Sequence, residues 1–290
     1  MIIVIVGPTG VGKTKLSIEI AKHFNAEIIN ADSVQIYKEP NIVSAKIKEE
    51  NKEGIKHHLL SIKSLKENNT IYDFQKEGRR ILDELLSENK NVVIVGGSGL
   101  YLKALLYDYK LSDENIINNT YEDFTNKELK DKVIKIDPNN KIHENNRKRL
   151  IRFLNHYERT GKIIENKEER NKKLYDFKTV GLYTTNEILY DRINMRVEEM
   201  INEGLIDEAK TLYDMKYPKL DQIIGYKELI PYFSNECSLE EAIDNIKRDT
   251  RKYSKRQYTW YRNQFQDINW FMTNFDNFEE TIKKVISHLI

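Results

Sequence analysis

Residues 7–14 read Gly7-Pro8-Thr9-Gly10-Val11-Gly12-Lys13-Thr14. Glycines at this spacing let a short loop turn tightly and aim successive backbone N–H groups inward, where they cradle phosphate oxygens. Lys13 adds a point charge for outer phosphates, and the Thr14 hydroxyl is a ligand for a metal ion. These residue types in this order describe a binding loop for a di- or triphosphate. Asp32 and Gln35 follow a second apolar run, and a carboxylate there can take a proton from an incoming nucleophile or can cap a turn. Arg192 and Arg196 stand i, i+4, spaced to clamp an oxyanion or to pair with neighbouring glutamates. A last cluster holds Lys247, Arg248, Arg251, Lys252, Lys255, Arg256 and Arg262, interleaved with Tyr253, Gln257, Tyr258, Trp260 and Tyr261. Cations among aromatic faces suit a phosphate backbone and unstacked bases. The plainer alternative is a solvated cationic helix whose rings pack against a core.

The elements that must position these residues follow from periodicity. Residues 1–6 form an apolar, β-branched run, and Leu16, Ile20 and Phe24 recur at helical spacing behind the glycine-rich loop. Strand, loop and helix are thus in the order a phosphate-binding loop requires. Further strands are expected over 26–30, 91–95 and 177–182. Helices are expected from Thr70 to about residue 88, over about 145–159 with a Gly161 stop, over about 186–203, and from the Ser238–Glu241 capping box to about Arg262. The fold class is α/β, a parallel sheet of the P-loop NTPase type flanked by helices, with a helical insertion. The expected division is 1–111 for the first part of the core, 112–165 for the insertion, and 166–290 for the completion of the core. Ligands of open α/β sheets sit beyond the carboxyl ends of the strands, which brings Asp32 towards the phosphate loop. The strand over 91–95 ends in Gly96-Gly97 rather than in a metal-holding aspartate, which favours a fold that holds a phosphorylated leaving group over a motor or switch. Residues 49–69 read as loop. The His57-His58 pair within them lacks a cysteine or an i, i+4 partner, so metal binding is the weaker reading.

The chain has 290 residues, of which 39% are hydrophobic and 32% charged, enough for one large or two modest domains with a real core. Net charge is only +1, so any nucleic-acid surface must come from local clustering. The one cysteine, Cys237, excludes an internal disulfide framework and suits a reducing compartment. No stretch approaches the roughly 18 apolar residues of a membrane span, and the N-terminal apolar run is too short for a secretory leader. The expectation is a cytoplasmic monomer with no membrane partner.

The chain resembles the tRNA dimethylallyltransferase family, also called tRNA isopentenyltransferases. The resemblance rests on the phosphate loop, Asp32-Ser33-Val34-Gln35-Ile36-Tyr37, Ala45-Lys46, His57-His58-Leu59, Gly96-Gly97-Ser98-Gly99-Leu100-Tyr101-Leu102, Arg149-Leu150-Ile151-Arg152, Thr160-Gly161, the segment 222–228 and the segment 250–262. It implies transfer of a dimethylallyl group from dimethylallyl diphosphate to the exocyclic amine of adenine 37 of tRNA, with Mg²⁺ and loss of diphosphate. By position it implies Asp32 as general base, with Lys13, Thr14, Arg196 and the amides of residues 7–14 on the diphosphate. It puts Asp32, Ser33, Val34, Gln35, Ser98, Lys148, Arg149, Leu150, Ile151 and Arg152 on the anticodon stem-loop of tRNA. Arg251, Lys255, Arg256 and Gln257 are assigned to the same partner. The family's Thr is Ser98 here, and an Arg common in the family has no counterpart near Asn118. A small-molecule kinase with Asp32 activating a hydroxyl is the alternative; it explains the loop but not the basic, aromatic helix.

Overall fold

The structure, a computed structural model, describes residues 1–109, 111, 119–121, 123–163 and 172–290. Among these, β1 (Ile2–Val6), β2 (Ala26–Asn30), β3 (His57–His58), β4 (Asn91–Val95), β5 (Lys178–Tyr183) and β6 (Ile268–Met272) form one parallel sheet in the order β3-β2-β4-β1-β5-β6. The helices are α1 (Lys13–His23), α2 (Ile71–Ser87), α3 (Gly99–Leu106), α4 (Asn126–Ile136), α5 (Arg147–Thr160), α6 (Asn186–Asn202), α7 (Leu205–Asp214), α8 (Ile230–Phe233), α9 (Leu239–Gln264) and α10 (Phe278–Leu289).

A strand's side chains alternate between the two faces of its sheet, so an unbroken apolar strand demands cover on both. In β1, Ile2, Val4 and Val6 enter one core with Phe74 and Leu82 of α2 and Leu102 of α3. Ile3 and Ile5 enter the other with Leu16 and Ile20 of α1 and Ile282 and Val285 of α10. The expected caps are present: Thr70 and Ser238 make reciprocal capping boxes with Asp73 and Glu241, and Thr185 caps α6. Parallel pairing of β2, β4 and β1 puts residues 7–12, 31–32 and 96–97 at the same carboxyl end of the sheet.

Two features depart from the periodicity reading. Residues 49–69 contain the two-residue edge strand β3, where His57 and His58 pair with Ile28 and Ile29 of β2. The His58 ring bonds the Glu27 carboxylate at 2.6 Å and His57 bonds the Ile55 carbonyl at 2.9 Å. Among the described residues no group of three His, Cys, Asp or Glu could hold a metal. The short α7 and α8, with the turns between them, also had no clear signature.

The chain separates into two compact units, one of residues 1–107 with 173–290 and one of residues 108–172. In the first, Tyr107 and Lys173 form an antiparallel bridge where the chain leaves and returns. The expected boundaries at 112 and 165, and Asn118, lie outside the described residues.

In the second unit, α4 and α5 enclose a small core of Tyr121, Leu129, Val133, Leu150, Phe153 and Leu154. This corrects the assignment of Leu150 to tRNA. It lies on the apolar i, i+3, i+4 seam with Phe153 and Leu154 and is fully buried, and Ile151 packs half-buried against the same cluster. Lys148, Arg149 and Arg152 are exposed. With so few apolar residues in this core, Leu150→Ala is expected to cost about 2–5 kcal/mol of local stability. Amide exchange should then accelerate across the described residues of 119–163 while the β1–β4 amides stay protected. Unchanged exchange in both regions would refute this account of the α4–α5 pair.

Candidate functional site

The loop between β1 and α1 is shaped by three left-handed glycines, of which two have steric reasons as well. Gly7 has φ 145°, and a Cβ there would lie 2.5 Å from the Leu182 carbonyl oxygen of β5. Gly12, the α1 N-cap, has φ 98°, and a Cβ would strike the Phe278 ring of α10 at 2.6 Å. No described side chain caps α1, so its first N–H groups and its dipole face the cleft, a ready site for an anion. Thr14 is exposed in the first turn. Lys13 bends back, donating to the Gly7 and Pro8 carbonyls at 2.9 and 2.7 Å. Burial in the cleft pulls its pKa down to about 7; nearby Asp32 opposes the shift and Arg196 adds to it.

The glycines after β4 have a separate cause. A Cβ on Gly96 would lie 2.2 Å from the Ala31 carbonyl carbon, so the ends of β2 and β4 press together backbone to backbone. No acidic side chain fits there, which is the physical basis of the missing aspartate. A Cβ on Gly97 would come within 2.7 Å of Gln257 Nε2 and 3.0 Å of Asp32 Oδ2. The two oxygens of Asp32 have different surroundings. Its Oδ1 accepts from the Val34 and Gln35 amides at 2.9 and 3.3 Å, the turn-capping role. Oδ2 faces Gly97 in the cleft, where no donor among the described residues is bonded to it.

Helix α6 brings the arginine pair. Leu189, Ile193 and Val197 are buried beneath it, so Arg192 and Arg196 share the cleft side. Arg192 Nε donates to the Gly10 carbonyl at 3.2 Å, and its guanidinium lies 3.9 Å from the centre of the Phe275 ring. Arg196 makes no hydrogen bond to any described residue. Desolvation holds its pKa below the ordinary arginine value, with Glu199 opposing that shift and Arg192 reinforcing it. Its donors are available to an anion, which favours the clamp over the ion-pair reading. The cleft holds about 350 Å³ and is lined by the phosphate loop, Asp32, Gln35, Gly97, Arg192, Arg196 and Gln257. Ser44, Ile47, His57, Met195 and Tyr253 also line it, and the sequence reading had not singled them out for this site. Only Tyr253 carried a signal, standing i, i+4 from Gln257.

The remaining residues assigned to tRNA divide. Ser33 N–H donates to Ser98 Oγ at 3.0 Å and Ser98 Oγ donates to Ser33 Oγ at 2.9 Å, joining the two loops, while Val34 packs half-buried against the core. On α9, Lys255 and Arg256 are exposed. Arg251 instead turns towards α6 and donates to Asn194 Oδ1 at 2.5 Å. Gln257 is buried, with its Oε1 accepting from Thr9 N–H at 2.8 Å and its Nε2 donating to the Gly97 carbonyl at 2.9 Å. It is therefore a fixture of the cleft wall and not part of the exposed basic face. The aromatic residues take the packing role: Tyr261 is buried with its hydroxyl on the Gly96 carbonyl, Trp260 covers Gly99, and Tyr258 meets Trp270 edge to face. Part of the basic cluster is also neutralised, because Asp249 pairs with Lys227, Arg248 and Lys252, and Glu198 pairs with Lys247.

The model of the family described as IPP transferase matches residues 35–264. The chain is 45% identical over 280 residues to a tRNA dimethylallyltransferase of Enterococcus faecalis, covering 93% of this chain and 91% of that protein. It is similar to the crystal structure of the tRNA isopentenylpyrophosphate transferase of Bacillus halodurans, with TM-score 0.75 and 38% identity over 99% of this chain and 96% of that one. A eukaryotic dimethylallyltransferase acting on tRNA gives TM-score 0.87 at 28% identity, covering 99% of this chain and 77% of that chain.

The depressed Lys13 has a measurable consequence. At pH 8 its amine is largely neutral in the free cleft, and a bound diphosphate raises its pKa by offering an opposite charge. Binding of dimethylallyl diphosphate at pH 8 should therefore take up a proton, an uptake that fades towards pH 6, where Lys13 is already charged. Calorimetry in buffers of different ionisation enthalpy measures it. Equal uptake by wild type and Lys13→Met would disprove the assignment.

Proposed function

The chain belongs to the IPP transferase family, and from that premise we propose that it transfers a dimethylallyl group from dimethylallyl diphosphate to the exocyclic N6 amine of adenine 37 in tRNA. The observation that carries the proposal is the meeting, in one cleft, of an anion-binding helix terminus, an arginine and a carboxylate oxygen, neither of the last two hydrogen-bonded to any described residue. In this reading the amides of residues 7–14, Lys13 and Arg196 hold the diphosphate. The N6 lone pair attacks the first carbon of the dimethylallyl group, the carbon–oxygen bond breaks, and its electron pair leaves with diphosphate. Asp32 Oδ2 takes the proton that the amine loses. An aromatic amine is a weak nucleophile, so the protein's work is positioning, neutralising the leaving group and removing one proton. The adenine has to leave its stack to reach the cleft.

Mg²⁺ suits this donor set. It keeps much of its water and needs only one or two protein oxygens beside phosphate oxygens, and Thr14 offers an exposed hydroxyl at the α1 terminus. When bound there, the ion would offset diphosphate charge. Lys148, Arg149 and Arg152 of α5, and Lys255 and Arg256 of α9, are the exposed cations proposed for the anticodon stem-loop. No helix among the described residues is long and apolar enough to cross a membrane, and a cytoplasmic setting fits a tRNA substrate and a free Cys237. Family membership favours prenyl transfer over a small-molecule kinase.

Incubation with labelled dimethylallyl diphosphate and unmodified tRNA tests the proposal directly, with ATP hydrolysis measured alongside. Asp32→Asn keeps the side chain's shape and removes proton acceptance, so turnover should fall by roughly a hundredfold or more with little change in tRNA affinity. Near-normal turnover would leave Asp32 with its turn-capping role alone. A salt titration of stem-loop binding separates the basic residues. Lys255→Ala and Arg256→Ala should each flatten the log–log slope by about one unit. Slopes matching wild type in both variants would mean that α9 does not touch the phosphate backbone.

A further inference from the structure

The chain after Asp32 returns to the cleft at Ser44 and Ile47, and on the way residues 38–46 form no helix or sheet strand. Two opposite charges replace the missing ladder. Lys46 Nζ donates to the Tyr37 and Lys38 carbonyls at 2.7 and 3.1 Å and to Asn41 Oδ1 at 2.9 Å. Glu208, on α7, accepts from three consecutive amides: Asn41 and Ile42 reach Oε2 at 3.0 and 2.9 Å, and Val43 reaches Oε1 at 3.1 Å. The Tyr226 hydroxyl completes the set on Oε1 at 2.7 Å. Tyr226 lies in the 222–228 segment, which does not line the cleft. Its neighbour Gly225, at φ 104°, lets that segment come so close that a Cβ would lie 2.3 Å from Val43 Cγ2. The restraint continues into the cleft, because the Gln35 side-chain amide donates to the Ser44 carbonyl at 2.9 Å and both residues line it.

We infer that Glu208 is a positioning residue for the acceptor substrate: by gathering the amides of residues 41–43 it sets Ser44, and through Ser44 the Gln35 side chain beside Asp32. The inference rests on the proposed function, in which the adenine amine reaches Asp32 in the cleft that Gln35 and Ser44 also line. A carboxylate suits the task because it only accepts, with about four lone-pair sites for four donors. A glutamine offers one acceptor oxygen and would turn an NH₂ group towards the remaining donors. The phosphate loop takes no part in this network, so donor binding should be spared.

The test is steady-state transfer to an unmodified anticodon stem-loop by the full chain, with amide exchange read over residues 35–46. Glu208→Gln should lower kcat/KM for the stem-loop by about ten- to a hundredfold, leave KM for dimethylallyl diphosphate within about twofold, and speed exchange at 41–44. Tyr226→Phe removes one of the four bonds and should show the same pattern more weakly. Glu208→Asp, which keeps the charge, should recover part of the loss. If Glu208→Gln does not fold, Tyr226→Phe decides. Unchanged stem-loop kinetics in the folded variants would overturn the inference, as would donor and acceptor parameters falling together with Tm, the mark of general destabilisation. Wild-type protein that transfers nothing would defeat the proposed function and this inference with it, whereas an active wild type with indifferent variants defeats this inference alone.

Discussion

The Gln257 side chain holds the Thr9 amide with one end and the Gly97 carbonyl with the other, and the site depends on that bridge. It ties the loop after β1 to the loop after β4 through one planar, buried side-chain amide. Tyr261 and Thr273 add single bonds of the same kind, to the Gly96 and Val11 carbonyls. Removing such a group leaves two backbone groups unsatisfied in a low-dielectric setting, which costs far more than an exposed hydrogen bond is worth. The glycines at 96, 97 and 99 are the steric counterpart, since only backbone without Cβ lets α9 and the end of β2 come this near.

That geometry concentrates charge. Lys13, Arg192 and Arg196 line a cleft in which Asp32 and Glu199 are the opposing carboxylates. Burial makes two of these cations harder to keep charged: Lys13 is shifted down, and Arg196 is held below its ordinary value with no hydrogen-bond partner among the described residues. A multivalent anion relieves both burdens at once, so the free cleft is electrostatically incomplete in the way a diphosphate completes. Asp32 keeps its place because Oδ1 is tied down by backbone amides, while Oδ2 faces the cleft.

Outside the cleft the near-neutral chain spends its positive charge locally. Asp249 and Glu198 balance the inner turns of α9, while Lys255 and Arg256 remain exposed further along it. In the second unit, α5 divides its residues by helical phase, with Leu150, Phe153 and Leu154 inward and Lys148, Arg149 and Arg152 outward. An overall charge of +1 is thus no guide to either surface.

The phosphate loop, the parallel sheet and the capped helices were legible in the chain because each rests on short-range physics: glycine torsions, alternation along a strand, and side-chain caps three residues apart. The proximity of Asp32 to that loop followed from its place just beyond the carboxyl end of a strand. Helical phase shows which residues share a stripe, but it does not say which stripe meets protein. Hence Gln257 and Arg251, neighbours of exposed Lys255 and Arg256, turned inward to the P-loop and to Asn194. The two-residue β3 was invisible because its pairing with β2, and not any pattern of its own, makes it a strand. Glu208 and Tyr226 lie more than 160 residues from the loop they hold. Only tertiary structure could bring a lone glutamate to three orphan amides, because the need for it arises where the backbone leaves the sheet and has no ladder of its own.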